Sequence, residues 1–206
     1  GYRIAVCEQV EDPKTAKGLV KRDVIEVISA GTGMDDSFLD DDKSSYIVSI
    51  IPAGDMIGFA GCELSTGEFF GSLIELSSLE EEIARIDPSE ILFSEIERGG
   101  EVVETISKNF SDKQLTFFDG WKCENVEASK VLLKQFSVNS LEGLGLEGKD
   151  VTATAAGALL TYLKEQKRSE LSHIRALRVD SRGSSAQLDP STIRNLELLK
   201  PLHTDE

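Results

Sequence analysis

Three β-rich runs, Tyr46–Pro52, Ile57–Ser65 and Glu68–Leu76, are separated only by Pro52-Ala53-Gly54-Asp55 and Ser65-Thr66-Gly67. Turns this short, each with a glycine placed for a positive φ, make hairpins, so the three runs belong side by side in one sheet. The pattern then changes. Ser78-Leu79-Glu80-Glu81 fits a capping box that opens a short helix with Leu79, Ile83 and Ile86 on one face, and Asp87-Pro88 stops it. Glu90–Ser94 reads as a short buried strand. Val102, Val103, Ile106 and Phe110 space as one helix face over Glu101–Phe110. Leu115–Phe118 is another strand and Val126–Phe136 a further helix. Thr152–Gln166 is the most helical stretch, with Ala153, Ala156, Leu159, Leu160 and Leu163 recurring at helical spacing. Its Ala155-Ala156-Gly157-Ala158 segment leaves room for a second element to approach closely. Hairpins followed by alternating helix and strand predict an α/β fold, a mixed sheet with helices packed on it. A ribonuclease-H-like arrangement has this order, and several other α/β folds share it at the level of pattern.

Ahead of this unit stand two shorter apolar runs, Arg3–Gln9 and Asp23–Ser29, ended by Ala30-Gly31-Thr32-Gly33. Two strands are not a stable fold alone. They either pair onto the later strands of this chain or belong to a sheet completed by strands outside it. Asp35, Asp36, Asp40, Asp41 and Asp42 then mark a charged linker without the glycine and distal Glu of a calcium loop. His173–Val179 reads as a strand or an extended link. Asp189-Pro190 sets an N-cap and an N1 proline for a helix carrying Ile193, Leu196 and Leu199. The chain starts at Gly1 inside a strand pattern and stops in a helix barely begun, so it is expected to be an excised piece of a longer protein.

The 206 residues are enough for one to two domains that bury about 70% of their unfolded surface. The net charge of −15 works against independent DNA binding, which comes mainly from Lys and Arg neutralising phosphates. Residues 1–30 hold five basic and five acidic groups, so the whole excess of acid lies beyond them. Lys14, Lys17, Lys21 and Arg22 cluster between the first two strands, as either a phosphate-contacting loop or an ordinary solvated one. The three cysteines, Cys7, Cys62 and Cys123, are far apart, which argues against disulfides and zinc and points to a reducing, cytoplasmic compartment. Cys7 and Cys62 sit in apolar runs and are expected to be buried. No apolar run is long enough to span a membrane.

Enzymatic readings find little support. Gly143-Leu144-Gly145-Leu146-Glu147-Gly148-Lys149 matches the first seven positions of a phosphate-binding loop, but Asp150 stands where Ser or Thr should hold Mg²⁺. A two-metal nuclease on this fold needs carboxylates from the first strand and its neighbours, holding cations about 4 Å apart. Tyr46-Ile47-Val48-Ser49-Ile50-Ile51 has none, and Glu63 stands alone in the second strand. A metal-dependent nuclease or NTPase remains the alternative to a binding module. Of the two histidines, His203 is near the chain end and His173 reads as structural. Trp121 either packs on the edge of the core or marks a partner surface.

Several segments resemble the MutS family of DNA mismatch repair proteins. Gly1-Tyr2-Arg3-Ile4-Ala5-Val6-Cys7-Glu8-Gln9-Val10-Glu11-Asp12-Pro13, Lys17-Gly18-Leu19-Val20-Lys21-Arg22-Asp23-Val24 and Ala30-Gly31-Thr32 resemble the C-terminal part of its mismatch-recognition domain. Many relatives have Pro where Ala30 stands. Gly58-Phe59-Ala60-Gly61-Cys62-Glu63-Leu64-Ser65-Thr66-Gly67-Glu68-Phe69 resembles its second-domain hairpin, and Pro88-Ser89-Glu90-Ile91-Leu92 follows at a fitting place. Ala155–Leu163 and Leu171-Ser172-His173-Ile174 resemble its long helix and exit. Leu188-Asp189-Pro190-Ser191-Thr192-Ile193-Arg194-Asn195-Leu196-Glu197-Leu198 resembles the start of its lever domain, with Pro190 in place of the more usual Ala.

The resemblance implies a remnant of a recognition domain over residues 1–32, a connector domain over 33–182 and the start of a lever domain over 183–206. It implies a ribonuclease-H-like connector without nuclease activity, which links mismatch binding to an ATPase and offers surface to a MutL-type partner. The family's Phe-x-Glu mismatch reader and its phosphate-binding loop fall outside this chain, so no cofactor is expected in it, while the longer protein uses ATP and Mg²⁺ and is expected to be a homodimer. Lys17, Lys21 and Arg22 become candidate DNA-backbone contacts, with Glu26 standing where some relatives carry a basic residue. Lys130, on the Val126–Phe136 helix, becomes the candidate partner contact.

Overall fold

In a computed structural model, residues 4–9, 11, 20–29, 31–32, 45–119, 125–167 and 171–180 are described. Two strands come first, β1 (Ile4–Gln9) and β2 (Arg22–Ile28). The larger unit runs β3 (Tyr46–Ala53), β4 (Met56–Glu63), β5 (Glu68–Glu75), α1 (Leu79–Ile86), β6 (Glu90–Ser94), α2 (Glu101–Asn109), β7 (Gln114–Phe118), α3 (Asn125–Phe136), α4 (Asp150–Lys167) and β8 (Arg178–Asp180).

The two expected hairpins form. Gly54 (φ 63°) and Gly67 (φ 76°) occupy the left-handed region that their turns require. β3, β4 and β5 are therefore antiparallel neighbours, while β6 and β7 add parallel to β3 and β8 adds parallel to β5. The resulting order, β7-β6-β3-β4-β5-β8, is a six-stranded mixed sheet in the ribonuclease-H-like arrangement. His173 lies in a turn closed by the Ile174 N–H on the Leu171 carbonyl at 3.0 Å, so the expected strand or extended link begins only after it, and Arg178–Asp180 alone of that stretch joins the sheet as a strand.

Alternation along each strand sends successive side chains to opposite faces. Val48, Ile50, Phe59, Phe70, Ile74, Ile91 and Phe93 meet α1 and α2 through Leu79, Ile83, Val103 and Ile106. Ile47, Ala60, Cys62, Phe69 and Leu92 meet α3 and α4 through Leu132, Ala156, Leu159, Leu160 and Leu163. Both faces of the sheet are thus covered, which is why its central strands read as nearly continuous apolar runs. Each fully buried large side chain contributes roughly 1.5–3 kcal/mol.

β1 and β2 pair with each other, with a bulge between Val6 and Cys7, and form a separate two-stranded ribbon. Cys62 is buried as expected, but Cys7 is exposed, because β1 is the outer strand of this ribbon and turns most of its residues to solvent. The expected capping box at Ser78 does not form. A 3-10 turn over Leu76–Ser78 gives Ser78 near-helical angles (φ −101°, ψ 0°), and its side chain makes no capping hydrogen bond. α1 ends at Asp87, which takes φ 51° and donates its N–H to the Ile83 carbonyl before Pro88. Lys14, Lys17, the acidic run at 34–43, Trp121, Cys123, His203 and the 183–206 segment lie outside the described residues. No helix among the described residues is long and apolar enough to cross a membrane.

Candidate functional site

The most unusual chemistry in the described residues is a carboxylate inside the core. β6 is buried along its entire length, and its first residue, Glu90, is wholly enclosed. The turn before it is fastened on both sides. Ser89 donates its N–H to the Tyr46 carbonyl at 2.9 Å, and the Ser89 carbonyl accepts from the Gln114 N–H at 3.3 Å. Glu90 therefore lies level with Ile47 of β3 and Gln114 of β7, on the face that α4 covers.

Four donors converge on its two oxygens. Thr116 of β7 donates to Oε1 at 2.7 Å and Tyr162 of α4 at 2.6 Å. Ser29 donates its hydroxyl to Oε2 at 2.5 Å, and the Gly31 N–H donates to the same oxygen at 3.3 Å. These four neutral donors fill about the four lone-pair sites that a carboxylate offers. An enclosed carboxylate without such donors would be strongly unfavourable, so the cluster is high-stakes for its surroundings.

Two of the donors come from the stretch that leaves the ribbon. Ser29 follows β2, and its N–H and hydroxyl both meet the Thr32 hydroxyl, at 2.7 and 3.0 Å. Gly31 lies against the sheet so tightly that a Cβ there would collide with the Ile47 side chain and stand 3.2 Å from the Glu90 Cβ. A second tie runs from β2 to the far end of α4, where Lys167 and Glu26 form an ion pair. Glu26, a doubtful DNA contact from its charge, is thus engaged with the body of the protein. The ribbon is bound to the larger unit at a joint made of Ser29, Gly31, Glu90, Tyr162 and the Lys167–Glu26 pair.

Of the residues expected to contact DNA, Lys17 lies outside the described residues. Lys21 and Arg22 are exposed at the opposite end of the ribbon from the joint, and the Lys21 N–H donates to the Glu11 carboxylate at 3.2 Å. Arg22 is seven residues before Ser29, or about 23 Å of extended strand. Lys130 stands on α3, with its side chain 64% exposed and paired to Glu127 at 2.6 Å. The structure brings Lys21 and Arg22 together and leaves Lys130 on a different element.

The glycine-rich 143–149 stretch follows α3 and a 3-10 turn over Leu141–Leu144, not a strand, and Leu146 is buried in the core. It lacks the strand–loop–helix setting of a phosphate-binding loop. Glu63 is committed to the β4–β5 hairpin, accepting from the Ser65 hydroxyl at 2.5 Å and the Thr66 N–H at 2.9 Å. Burial opposes its ionisation, but these hydrogen bonds prevail and hold its carboxyl below the usual range. Among the described residues, no three His, Cys, Asp or Glu side chains are grouped to hold a metal ion.

Sequence reasoning recognised Glu90–Ser94 as a buried strand but passed over its first residue. The signal available was a glutamate opening a fully apolar run, and a tyrosine within an Ala- and Leu-rich helix. Their partner Ser29 is 61 residues from Glu90, and Tyr162 is 72 residues away, separations that no local pattern spans.

The fold and joint define a ribonuclease-H-like α/β domain with a strand ribbon bound to it through Ser29, Gly31 and the Lys167–Glu26 pair. Comparison with known families is more specific. The family model for MutS domain II matches residues 45–175, and that for MutS domain I matches residues 1–37. The chain belongs to the MutS family. It is 37% identical to the DNA mismatch repair protein MutS of Rhodopirellula baltica over 225 residues, covering 99% of this chain and 25% of that protein. The corresponding protein of Alkaliphilus oremlandii is 37% identical over 98% of this chain, and that of Protochlamydia amoebophila 38% over 98%. The chain spans about a quarter of the length of these curated relatives.

Proposed function

We propose that this chain is the coupling piece of a DNA mismatch repair protein. Residues 33–182 act as a connector between a mismatch-recognition domain, to which residues 1–32 belong, and a lever that begins at 183–206 and leads to a distant ATPase. ATP and Mg²⁺ act in the longer protein, which works as a cytoplasmic homodimer. The connector offers surface to a MutL-type partner. The observation that carries this reading is the joint. The stretch matching one family domain ends on a carboxylate buried in the stretch matching the next, so displacement on one side is felt on the other. The concentration of acid beyond residue 30 supports it, since such a domain has little reason to grip DNA itself.

The test uses the full-length protein. Charge reversal at Lys21 and Arg22 weakens mismatched-DNA binding and spares partner capture. Lys130→Glu weakens capture of the MutL-type partner and spares DNA binding. A full-length protein that neither binds mismatched DNA nor captures the partner overturns the reading. The 206-residue chain, incubated with ATP or duplex DNA and Mg²⁺, shows no turnover. Turnover abolished by Lys149→Ala or Glu63→Ala would favour the NTPase or nuclease alternative instead.

A further inference from the structure

We propose that Glu90 is a positioning residue, whose buried carboxylate sets the bearing of the β1–β2 ribbon on the six-stranded sheet through Ser29 and Gly31. This goes beyond the proposed function and rests on the geometry of the joint alone.

The carboxylate has two sides with different tasks. Oε1 is held by Thr116 and Tyr162, both parts of the larger unit, at 2.7 and 2.6 Å. This side fixes the carboxylate to the sheet and to α4. Oε2 faces the segment leaving the ribbon and takes Ser29 at 2.5 Å and the Gly31 N–H at 3.3 Å. A hydroxyl can rotate to find another acceptor, but a backbone N–H has a single direction. The Gly31 bond therefore specifies orientation as well as contact. Gly31 also has to be a glycine for the segment to lie flat, because Ile47 and the Glu90 Cβ occupy the space of a side chain.

The ribbon magnifies any error at this point. Its free end at Arg22 lies about 23 Å along the strand from Ser29, so a tilt of about 10° at the joint moves that end by about 4 Å. Most β1 residues are exposed, and β1 and β2 make their own two-stranded sheet. Among the described residues, the ribbon's direction is held by the Oε2 side of Glu90, the fit of Gly31, the Lys167–Glu26 pair and the packing of half-buried β2 residues on α4. The first of these is fully enclosed and directional, whereas the Glu26 carboxylate is 30% exposed.

Spin labels read this directly in the 206-residue chain. One label goes on Cys7, which is exposed, and one on a cysteine replacing exposed Glu104 of α2. Cys123→Ser removes a competing thiol, and Cys62 is buried and does not label. The unaltered joint gives a narrow distance distribution. Glu90→Leu removes every acceptor, and Gly31→Ala forces the segment off the sheet without touching the carboxylate. Cys7 is level with Val24, about 17 Å of strand from Ser29, so both are expected to shift or broaden the distribution by about 3 Å for a tilt of about 10°, and Glu90→Leu to speed amide exchange at residue 31. Glu90→Gln is the conservative rescue. Its amide oxygen accepts from Ser29 and Gly31, its amide nitrogen donates to Thr116 and Tyr162 once their hydroxyls rotate, and the narrow distribution is retained. If Glu90→Leu does not fold, Gly31→Ala and Ser29→Ala carry the test. A folded Glu90→Leu or Gly31→Ala protein that melts lower but keeps the original distribution overturns the proposal, leaving Glu90 with a purely structural role.

Discussion

Gly157 of α4 rests directly on Ala128 of α3. A Cβ at position 157 would stand 2.5 Å from both the Cα and the Cβ of Ala128, and 2.6 Å from its carbonyl oxygen. Two of these atoms are backbone, so no rotamer change makes room. Gly157→Ala sets helix propensity, which favours Ala by about 1 kcal/mol, against overpacking at about 1–3 kcal/mol. The fixed neighbour decides in favour of the clash. The expected outcome is a net loss of about 1–2 kcal/mol, a melting temperature lower by roughly 2–8 °C. A variant more stable than the parent in urea unfolding would show that the helices separate easily.

Glu63 makes stability depend on pH in a definite direction. Its carboxyl is held below the ordinary value of 4.5, where hydrogen bonds from Ser65 and Thr66 outweigh its burial. A group depressed on folding contributes stability that is fully present above its unfolded value and is lost as pH falls through its folded value. The contribution is therefore expected to be intact at pH 6 and to fade below about pH 4.5. Glu63→Gln removes this ionisation and gives a shallower fall of stability in that acid window. Denaturant unfolding of the two proteins at stepped pH compares the slopes, and equal slopes would place the acid sensitivity elsewhere.

The sheet was largely legible because its logic is local. Gly54 and Gly67 announce their hairpins, and Asp87-Pro88 announces the end of α1. The Ala155–Ala158 stretch announced a close approach, which α3 makes. Local patterns failed where a neighbour altered the local choice. Ser78 has the residue type of a cap, but the 3-10 turn before it already holds it near helical angles. Cys7 lies in an apolar run, yet an outer strand of a two-stranded ribbon offers it little cover. The joint was invisible for a different reason. Glu90 is explained only by Ser29, Gly31, Thr116 and Tyr162, which separate segments of the chain bring to it. The basic residues singled out for their charge, Lys21, Arg22 and Lys130, lie on the surface, where sequence reveals charge but not what meets it.

The two described cysteines should separate cleanly by reactivity. Burial first, and then the nearby Glu63 and Glu68 carboxylates, push the Cys62 thiol up to about 12. The thiolate is the reactive species, so Cys62 is inert at pH 8 while folded. Cys7 is exposed on β1. In a Cys123→Ser background, a chromogenic disulfide is expected to titrate one thiol rapidly, and the second only as denaturant unfolds the sheet. Two thiols reacting together in native buffer would mean that the α4-covered face opens far more readily than its packing implies.

The Lys167–Glu26 pair should behave unlike the surface pairs. Arg98 and Glu95 have side chains 56% and 52% exposed, and solvent and salt screen such a pair strongly. The Lys167 side chain is only 9% exposed and that of Glu26 30%, so water screens their attraction less. A charge-assisted hydrogen bond in this setting contributes about 1.5–3 kcal/mol. The two ends of the pair are also unequal. Glu26→Leu leaves an ammonium in a nearly closed site, whereas Lys167→Met leaves a carboxylate that still reaches water. Glu26→Leu should therefore cost more than Lys167→Met, and the double variant less than the sum of the two. A double-mutant cycle in urea is expected to give a coupling above about 1 kcal/mol here, larger than that of Arg98 with Glu95. Because Glu26 lies on the ribbon and Lys167 on α4, additive losses would mean that the ion pair does not couple the ribbon to the helix, and that packing, the fit of Gly31 and the hydrogen bonds at Glu90 bear its orientation.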